Sequence, residues 1–353
     1  MSTSVGRTRP AWKVLTIVAV LVVMAAGLLH TWRNTNVLTE DRLCGGLVST
    51  EQANAVLPGV GRLDAEGDGL DKDFTDTLCR VEKSSVVLGS GQAELTVRVW
   101  AKQGDEVLDT AADLSKTSFF PGAVTGGIDT YMGWALLPEK CWTAKQPVVV
   151  RVSVGEVTAD RKAFAALMAD TARVVAAEAK CGDLSGKPGK LIQPRSESAR
   201  PATEGHVCGL DGLTMRGQVP TGTEVLEAGQ KAPADVWTCE LTLDDTTSGY
   251  VRADGFMKYT AFRDPLLLAA VRKAPGTING TAPDGREAEI VDKGPGFILP
   301  CAEGGPLYLA VESGQQYLEA SKRHSDLPRR DAYVEPFVKA AAKTFGCAAP
   351  ATG

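Results

Sequence analysis

The sequence predicts an α+β protein with a single N-terminal transmembrane helix followed by two homologous domains. Each domain is predicted to be an antiparallel sheet packed by helices and cross-linked by two disulfides. Three observations predict this class. One uncharged apolar stretch stands near the start of the 353-residue chain. All eight cysteines follow it, in two sets with the same central spacing. Around the cysteines, segments of alternating apolar residues are interleaved with segments of helical period.

Residues 11–32 are the predicted membrane anchor. The run from Val14 to Leu29 carries no charge, and Trp12 and Trp32 flank it as interfacial aromatics do in spanning helices. Three cationic residues precede it, so the positive-inside rule predicts a cytoplasmic tail over residues 1–10 and the bulk of the chain outside. A cleavable signal peptide is the alternative, but this run has 16 residues and such apolar regions usually have about 7–15. Both alternatives export the rest of the chain.

The cysteines form two sets of four. Gaps of 35, 62 and 40 residues separate the first four, and gaps of 31, 62 and 46 separate the second four. An even set in an oxidising compartment predicts disulfides, and the shared central gap predicts duplication. If each domain closes on itself, three pairings remain per domain, and we favour first with second and third with fourth. The favoured bonds are Cys44–Cys79, Cys141–Cys181, Cys208–Cys239 and Cys301–Cys347.

Repeated motifs around the cysteines define the predicted domain boundaries. LCGGLVST has a counterpart in VCGLDGLT, and WALLPEKC has one in GFILPC. The predicted domains span residues 43–182 and 207–349. Between them, residues 183–206 are rich in Gly, Pro and Ser and predict a linker with little to bury. Residues 33–42 are predicted to form a polar stalk above the membrane.

The elements of the first domain follow from local patterns. Ser49 or Thr50 can cap a short helix that ends at Leu57, with Gln52 as the capping-box partner. Alternating apolar residues predict four strands, at 79–87, 93–101, 131–137 and 146–154. Helical spacing predicts helices near 105–115 and over 160–180, with a Gly-rich loop after the first of them.

The second domain repeats the pattern. Its predicted strands are at 237–243, 255–262, 287–291 and 305–311. A helix is predicted over 265–273, and a final helix runs toward Phe345.

The opening Cys44-Gly-Gly-Leu with Ser49-Thr50-Glu51, followed by a short helix and a second cysteine on a strand, resembles actinobacterial envelope domains that begin Cys-x-Leu-Leu-Thr. Those domains occur mostly in secreted lipoproteins of unknown function and are distantly similar to the extracellular sensor domains of mycobacterial receptor Ser/Thr kinases. The resemblance covers residues 44–181 and, more faintly, 208–347. It implies disulfide-bonded modules that bind a ligand in a cleft, and it brings no catalytic residue. The family's tryptophan after the second cysteine is missing here, and no lipobox precedes Cys44.

The sequence carries none of the common catalytic or cofactor motifs, so we predict a protein that is not an enzyme and has no cofactor or metal site. The three histidines, His30, His206 and His324, stand away from candidate nucleophiles at predicted strand ends. The acidic stretch 64–76 matches the start of a calcium loop through Asp64, Glu66, Asp68 and Gly69. Asp71 and Thr75 break that pattern, and a solvated acidic loop is the favoured interpretation.

Two further features are compatible with ligand binding, although a plainer structural role is favoured for both. A basic stretch could meet an anionic polymer or lipid head group; it comprises Lys322, Arg323, Arg329 and Arg330. Tryptophans on or beside predicted strands could line a glycan or lipid groove; they are Trp100, Trp134, Trp142 and Trp237. A solvated loop and core packing are the respective structural interpretations.

The net charge of -5 disfavours a nucleic-acid partner, since a phosphate backbone requires a clustered basic face. The predicted protein is therefore a single-pass protein of the cell membrane, with a cytoplasmic N-terminus and the bulk of the chain extracellular. It exposes two non-enzymatic binding or sensing domains to an unknown envelope ligand or protein partner. A structural or assembly subunit of an envelope complex is the alternative, and a cell-wall hydrolase is a further one.

Overall fold

The computed structural model describes residues 9–36, 39–67, 69–70, 73–85, 89–104, 106–108, 113–155, 160–184, 189–196, 198–244, 255–291 and 296–347. The protein is α+β, with one apolar N-terminal helix, antiparallel sheets and four disulfides. Its helices are α1 (Arg9–Asn34), α2 (Thr50–Val56), α3 (Arg161–Glu178), α4 (Pro265–Val271), α5 (Gln315–Arg323) and α6 (Asp331–Thr344). Residues 1–8 of the predicted tail and residues 348–349 of the predicted second domain lie outside the described residues.

Helix α1 is long and apolar enough to cross a membrane, over the 21 residues Trp12–Trp32. Its side chains from Trp12 to Trp32 are exposed, so the helix does not pack along the rest of the protein. Its length and composition are those that an anchor or a signal helix requires.

The chain meets the first sheet directly after α1, where the sequence predicts a polar stalk above the membrane. The Leu63 amide donates a 2.8 Å hydrogen bond to the Asn36 side chain. The Arg62 guanidinium lies 5.6 Å from the centroid of the Trp32 ring. Only part of the predicted stalk is described, because residues 37–38 lie outside the described residues.

The first unit is a seven-stranded antiparallel sheet with α2 and α3. A two-stranded ribbon, β1 (Arg42–Leu43) and β2 (Val48–Ser49), precedes it. The sheet has the order β3-β4-β5-β9-β8-β7-β6. Its strands are β3 (Arg62–Glu66), β4 (Leu78–Ser85), β5 (Gly89–Ala101), β6 (Ser118–Phe120), β7 (Thr125–Ile128), β8 (Met132–Leu136) and β9 (Val148–Val154).

The second unit is an eight-stranded antiparallel sheet with α4, α5 and α6. Its order is β10-β11-β12-β13-β17-β16-β15-β14. Its strands are β10 (Arg200–Pro201), β11 (Val225–Gly229), β12 (Val236–Leu243), β13 (Met257–Phe262), β14 (Ile278–Thr281), β15 (Glu287–Val291), β16 (Gly296–Leu299) and β17 (Leu307–Ser313). Without the short β10, the chain follows the same path through this sheet as through the first.

The four disulfides are the pairs that the sequence analysis favours, and they occupy matching places in the two units. Cα atoms are 5.8 Å apart in Cys44–Cys79 and 5.9 Å apart in Cys208–Cys239. They are 4.8 Å apart in both Cys141–Cys181 and Cys301–Cys347. The backbones of Cys44 and Cys208 are both left-handed, with φ of 58° and 60°. Few non-glycine residues adopt this conformation, so its occurrence at both first cysteines is a specific similarity.

The closing helices of the two units also end alike. Cys181 donates its amide to the carbonyl of Ala176, and Cys347 donates to that of Ala342. The residues just before these cysteines, Lys180 and Gly346, have positive φ. This six-to-one bond behind a left-handed residue is the Schellman motif, which satisfies the last carbonyls of a helix.

Each sheet buries its outer face under helices. In the first unit, α3 supplies Phe164, Leu167 and Met168 to the core, and all three are fully buried. In the second unit, the Phe337 ring of α6 stacks on Tyr259 of β13, with ring centroids 4.7 Å apart.

A third core joins the inner faces of the two sheets. The first sheet contributes buried residues such as Trp134, Leu136 and Val149. The second sheet contributes Ile298 and Tyr308, among others, and α4 adds further apolar side chains. The molecule is therefore layered as helix, sheet, sheet, helix, and the two units pack face to face through this core.

The predicted Gly-rich loop contains a strand, β7. Gly126 and Gly127 pair with both β6 and β8. A Cβ atom on Gly126 would lie 2.2 Å from the carbonyl oxygen of Trp134. Glycine is needed at this position because the neighbouring strand approaches so closely, and a pattern of apolar alternation does not detect such a strand.

The helix predicted near 105–115 is not found in the described part of that segment. Residues 114–116 form a single 3-10 turn, for which the Asp113 side chain accepts the amides of Ser115 and Lys116. Residues 105 and 109–112 lie outside the described residues. Because an aspartate is a strong N-cap, it starts a turn at the end of the segment where the sequence analysis expects a helix to stop.

Candidate functional site

The eight predicted cysteines have structural roles. All lie in the four disulfides, so no free thiol is found among the described residues. No cluster of metal-ligating side chains occurs in the described part of the chain either. Of the calcium-like stretch, Asp64 lies on β3 and pairs with Arg62 at 3.3 Å. Asp68 and Asp71 are outside the described residues.

The structure separates the four tryptophans that the sequence analysis considers together. Trp134 and Trp237 are buried core residues, as expected. Trp142 is half-buried and donates a 2.7 Å hydrogen bond to the Leu137 carbonyl. Trp100 is also half-buried, and the guanidinium carbons of Arg98 and Arg151 lie 5.7 and 5.9 Å from its ring centroid. Trp100 is therefore the tryptophan with charged neighbours at the surface.

The basic stretch begins in the last turn of α5, which contains Lys322 and Arg323, and forms ordinary surface contacts. Lys322 pairs with Glu319 one turn earlier, at 2.8 Å. Arg329 and Arg330 are exposed at the start of α6. These contacts fit the favoured interpretation of a solvated helix-flanking segment.

The predicted linker pairs with the edges of both sheets. Phe119 of β6 and Ile192 exchange two backbone hydrogen bonds of 2.9 and 2.7 Å. The Arg195 amide donates a 2.8 Å bond to the carbonyl of Gly229 at the end of β11. The linker thus covers two exposed sheet edges, which explains why a Gly- and Pro-rich segment is held in place. Residues 185–188 and 197 of this segment are outside the described residues.

A buried carboxylate fixes the end of the linker to the second sheet. The Glu227 side chain is 3 % exposed and pairs with Arg195 at 3.4 Å and with Arg200. It also accepts a 2.5 Å hydrogen bond from the Cys208 amide. One carboxylate therefore ties the linker and the Cys208–Cys239 disulfide to β11. Because two arginines and a backbone amide already bind this carboxylate, we assign Glu227 a structural role.

An open groove of about 840 Å³ lies where the linker crosses from one sheet to the other. Three segments line it: the turn after β6 (121–122), the linker (189–192) and the loop between β11 and β12 (231–235). Both units and the segment between them are therefore needed to build it. Its size lies in the usual range for small-molecule sites, about 300–1,000 Å³.

A close backbone contact shapes one wall of the groove. The Gly189 amide donates a 2.8 Å hydrogen bond to the Pro121 carbonyl. A Cβ atom on Gly189 would lie 2.2 Å from that carbonyl oxygen. Glycine is thus required for the linker to approach the first sheet this closely.

The groove combines an apolar lining with a basic rim. Apolar side chains such as Leu191 and Ile192 are partly buried along it. Lys190 and Lys231 are exposed at the rim, and Asp235 is the one carboxylate among the described lining residues. A lone carboxylate does not supply the facing pair that glycoside hydrolysis requires. The lining instead suits a ligand that has an apolar part and an acidic group.

Comparison of the chain with protein-family models, with curated proteins and with solved structures finds no match. Local sequence patterns do not indicate the groove either, because its three segments are far apart in the chain and meet only when the two sheets pack. The lysines on either side of the junction, Lys190 and Lys231, were the only available signal, and single lysines carry little information.

Proposed function

We propose that this protein is a membrane-anchored, extracytoplasmic binding protein that performs no chemistry of its own. The observation that carries the proposal is the junction groove, which has the volume and the mixed apolar and basic lining of a ligand site. The ligand occupies the groove between the linker and the loop that contains Lys231. A hydrolase is disfavoured because a facing pair of carboxylates does not occur among the described residues of this groove.

The proposed location has two supports. Helix α1 is long enough to serve as the anchor, and cationic residues precede its apolar run. The four disulfides are typical of proteins that mature in an oxidising space outside the cytoplasm. Together they favour a protein that exposes both units on the outer side of the membrane.

We also infer that the two units arose by duplication. The shared strand order, the matched disulfides and the two Schellman motifs support this inference. Each duplicated unit buries one face of its sheet under helices, and the two remaining faces pack against each other over part of their area. The groove is then a product of the pairing, since neither unit contains all of its walls.

Native mass spectrometry of the full chain extracted from its own membrane tests the proposal. We expect the wild-type protein to carry a small-molecule adduct that the double variant Lys190→Glu and Lys231→Glu loses. The matched control is Lys140→Glu and Lys145→Glu, which makes the same charge change at two exposed lysines outside the groove. The proposal fails if the wild-type protein carries no adduct, or if the groove variant and the control retain it equally.

A further inference from the structure

Three side chains line up across neighbouring strands on the inner face of the first sheet. Leu78 of β4 is the register partner of Arg98 on β5, and Arg98 is the partner of Arg151 on β9. Trp100 lies two residues after Arg98 and therefore on the same face. We call these four residues, Leu78, Arg98, Trp100 and Arg151, the arginine face. They lie on β4, β5 and β9, whereas the junction groove is at the β6 edge of the sheet.

The two arginines are like charges at directly opposed positions of adjacent strands. Several other arginines of the described chain pair with acids, as Arg42 does with Asp170 and Arg272 with Glu289. No ion pair of Arg98 or Arg151 is found among the described residues, and the buried Nε of Arg151 has no hydrogen-bond partner there. Like charges directly opposite each other destabilise a sheet. This arrangement is unexpected in a chain with an excess of acidic residues.

The pKa of Arg151 reflects both its burial and the repulsion from Arg98. Burial lowers the pKa of its guanidinium, the negative charge of Asp129 opposes that effect, and the positive charge of Arg98 adds to it. An arginine remains protonated despite such a shift, so both cations persist at physiological pH. An added anion at this face would therefore weaken the repulsion between the two cations and offset the electrostatic cost of burying Arg151.

In the second unit, another segment of the chain covers the positions that match the arginine face. The match follows from strand register relative to the second cysteine of each unit, Cys79 and Cys239. By this register, Thr238 corresponds to Leu78, Thr260 to Arg98 and Ala310 to Arg151. Thr238 is fully buried, whereas Leu78 is 59 % exposed and Arg98 is also exposed.

The cover over the second sheet is the capped 3-10 turn of the first unit, residues 113–117. Thr238 donates a 2.9 Å hydrogen bond to the Leu114 carbonyl, and the Gln230 side chain donates a 2.7 Å bond to the Thr117 carbonyl. Leu114 packs into the third core. A polypeptide segment thus closes this face in the second unit, whereas Leu78 and Arg98 at the matching positions of the first unit are exposed.

We propose that the arginine face binds an acidic polypeptide segment of a partner protein. Carboxylates of the segment pair with Arg98 and Arg151, and an apolar side chain contacts Leu78 beside Trp100. A peptide fits better than a sugar because the two guanidinium groups already lie against the Trp100 ring, where a sugar would stack. This interaction goes beyond the proposed ligand groove and does not depend on it.

Calorimetric titration of the full chain in detergent micelles tests this proposal. The probe is an acetylated hexapeptide of alternating Glu and Leu, compared with its Lys and Leu counterpart, an oligogalacturonate and inorganic phosphate. We expect the acidic peptide to bind at least about ten-fold more tightly than each of the others. Equal binding of the oligogalacturonate or of phosphate would overturn the choice of a polypeptide.

Variants connect the binding to these residues. Arg98→Gln removes an exposed cation and is expected to weaken peptide binding about ten-fold or more. Leu78→Glu places a carboxylate directly opposite Arg98. It is expected to abolish binding, because the new carboxylate pairs with the arginine in place of the peptide. The control Arg272→Gln removes the same charge from a surface pair with Glu289 and should leave the affinity unchanged. The proposal is overturned if the peptide does not bind, or if Arg98→Gln binds it as tightly as the control.

Discussion

The Thr125 hydroxyl of the first unit donates a 2.7 Å hydrogen bond to the Asp264 carboxylate of the second unit, and both residues are buried. Asp264 also caps α4, because its other oxygen accepts the amides of Leu266 and Leu267 at 3.0 Å. One carboxylate therefore starts a helix in the second unit and joins that unit to β7 of the first. Polar contacts as well as the third core hold the two sheets together.

Thr125→Val removes the donor of this bond and keeps the shape of the side chain. The Asp264 oxygen is then left buried without this partner, so we expect the free energy of unfolding to fall by about 1–3 kcal/mol. Denaturant unfolding of the full chain measures the change. Thr143→Val, which removes a surface hydroxyl that bonds the Gln146 carbonyl, serves as the control and should change stability by less than about 0.5 kcal/mol. Equal stability of the two variants would contradict the assigned role.

Glu240 makes the stability of the protein depend on pH. Burial raises the pKa of its carboxyl above the ordinary value of 4.5, and the negative charge of Asp113 raises it further. The native state therefore holds the proton more tightly than the unfolded state. This contribution to stability is complete below pH 4.5 and is lost as the pH rises through the native pKa.

Glu240→Gln should consequently raise the free energy of unfolding at neutral pH and reduce the decline above pH 4.5. Glutamine retains an oxygen acceptor for the Gly255 amide, which donates to Glu240 at 2.9 Å. Unfolding of both proteins between about pH 4 and pH 8 measures the effect. A difference between them that is the same at every pH would show that Glu240 does not titrate in this way.

Arg98 and Arg151 carry like charges at opposed positions of adjacent strands, so their repulsion affects stability as well as binding. Arg98→Thr introduces the residue type found at the matching position, Thr260 of the second sheet, and removes the like-charge pair. We expect the unfolding free energy to rise by about 0.2–1 kcal/mol at low salt. Arg80→Thr on the neighbouring strand is the contrasting variant, since Arg80 pairs with Glu82 and Glu94 and its loss should not stabilise the fold. Destabilisation by Arg98→Thr would contradict this account.

The closing disulfides of the two units should contribute similarly to stability. They span 40 residues in Cys141–Cys181 and 46 residues in Cys301–Cys347, and loops of this size are worth about 3–4 kcal/mol in the chain-entropy model. Replacing both cysteines of either pair by serine should lower the unfolding free energy by that amount. A loss confined to one pair would show that the two units do not use their disulfides in the same way.

Local patterns were sufficient to predict several elements. The 16-residue apolar run predicted α1, and cysteine order predicted all four pairs in the structure. The predicted Ser49 cap of α2 is also present, where the Ser49 hydroxyl accepts the Gln52 amide at 3.4 Å. The predicted return bond from Gln52 is not formed, because its buried side-chain oxygen has no hydrogen-bond partner among the described residues. These features depend on residues close in sequence or on the limited chemistry of cysteine, so they can be recognised without the fold.

Features that depend on tertiary contacts could not be predicted in this way. Strand β7 carries glycines where alternation would require apolar residues, and Gly126 is explained only by the approach of Trp134. The linker composition indicates a free segment, yet Ile192 completes the β6 edge. The groove and the arginine face arise from strand register and sheet packing. Arg98 and Arg151 are 53 residues apart in the sequence and become neighbours only through the pairing of β5 with β9.

The central claim is that the exported chain consists of two units, each closed by its own pair of disulfides, outside the cytoplasm. Non-reducing peptide mapping of the full chain taken from its native membrane, with free thiols blocked during extraction, tests it most directly. The account predicts four linked peptide pairs, joining Cys44 to Cys79, Cys141 to Cys181, Cys208 to Cys239 and Cys301 to Cys347, and no blocked thiol. Free thiols among the eight cysteines, or a bond between the two units, would contradict it.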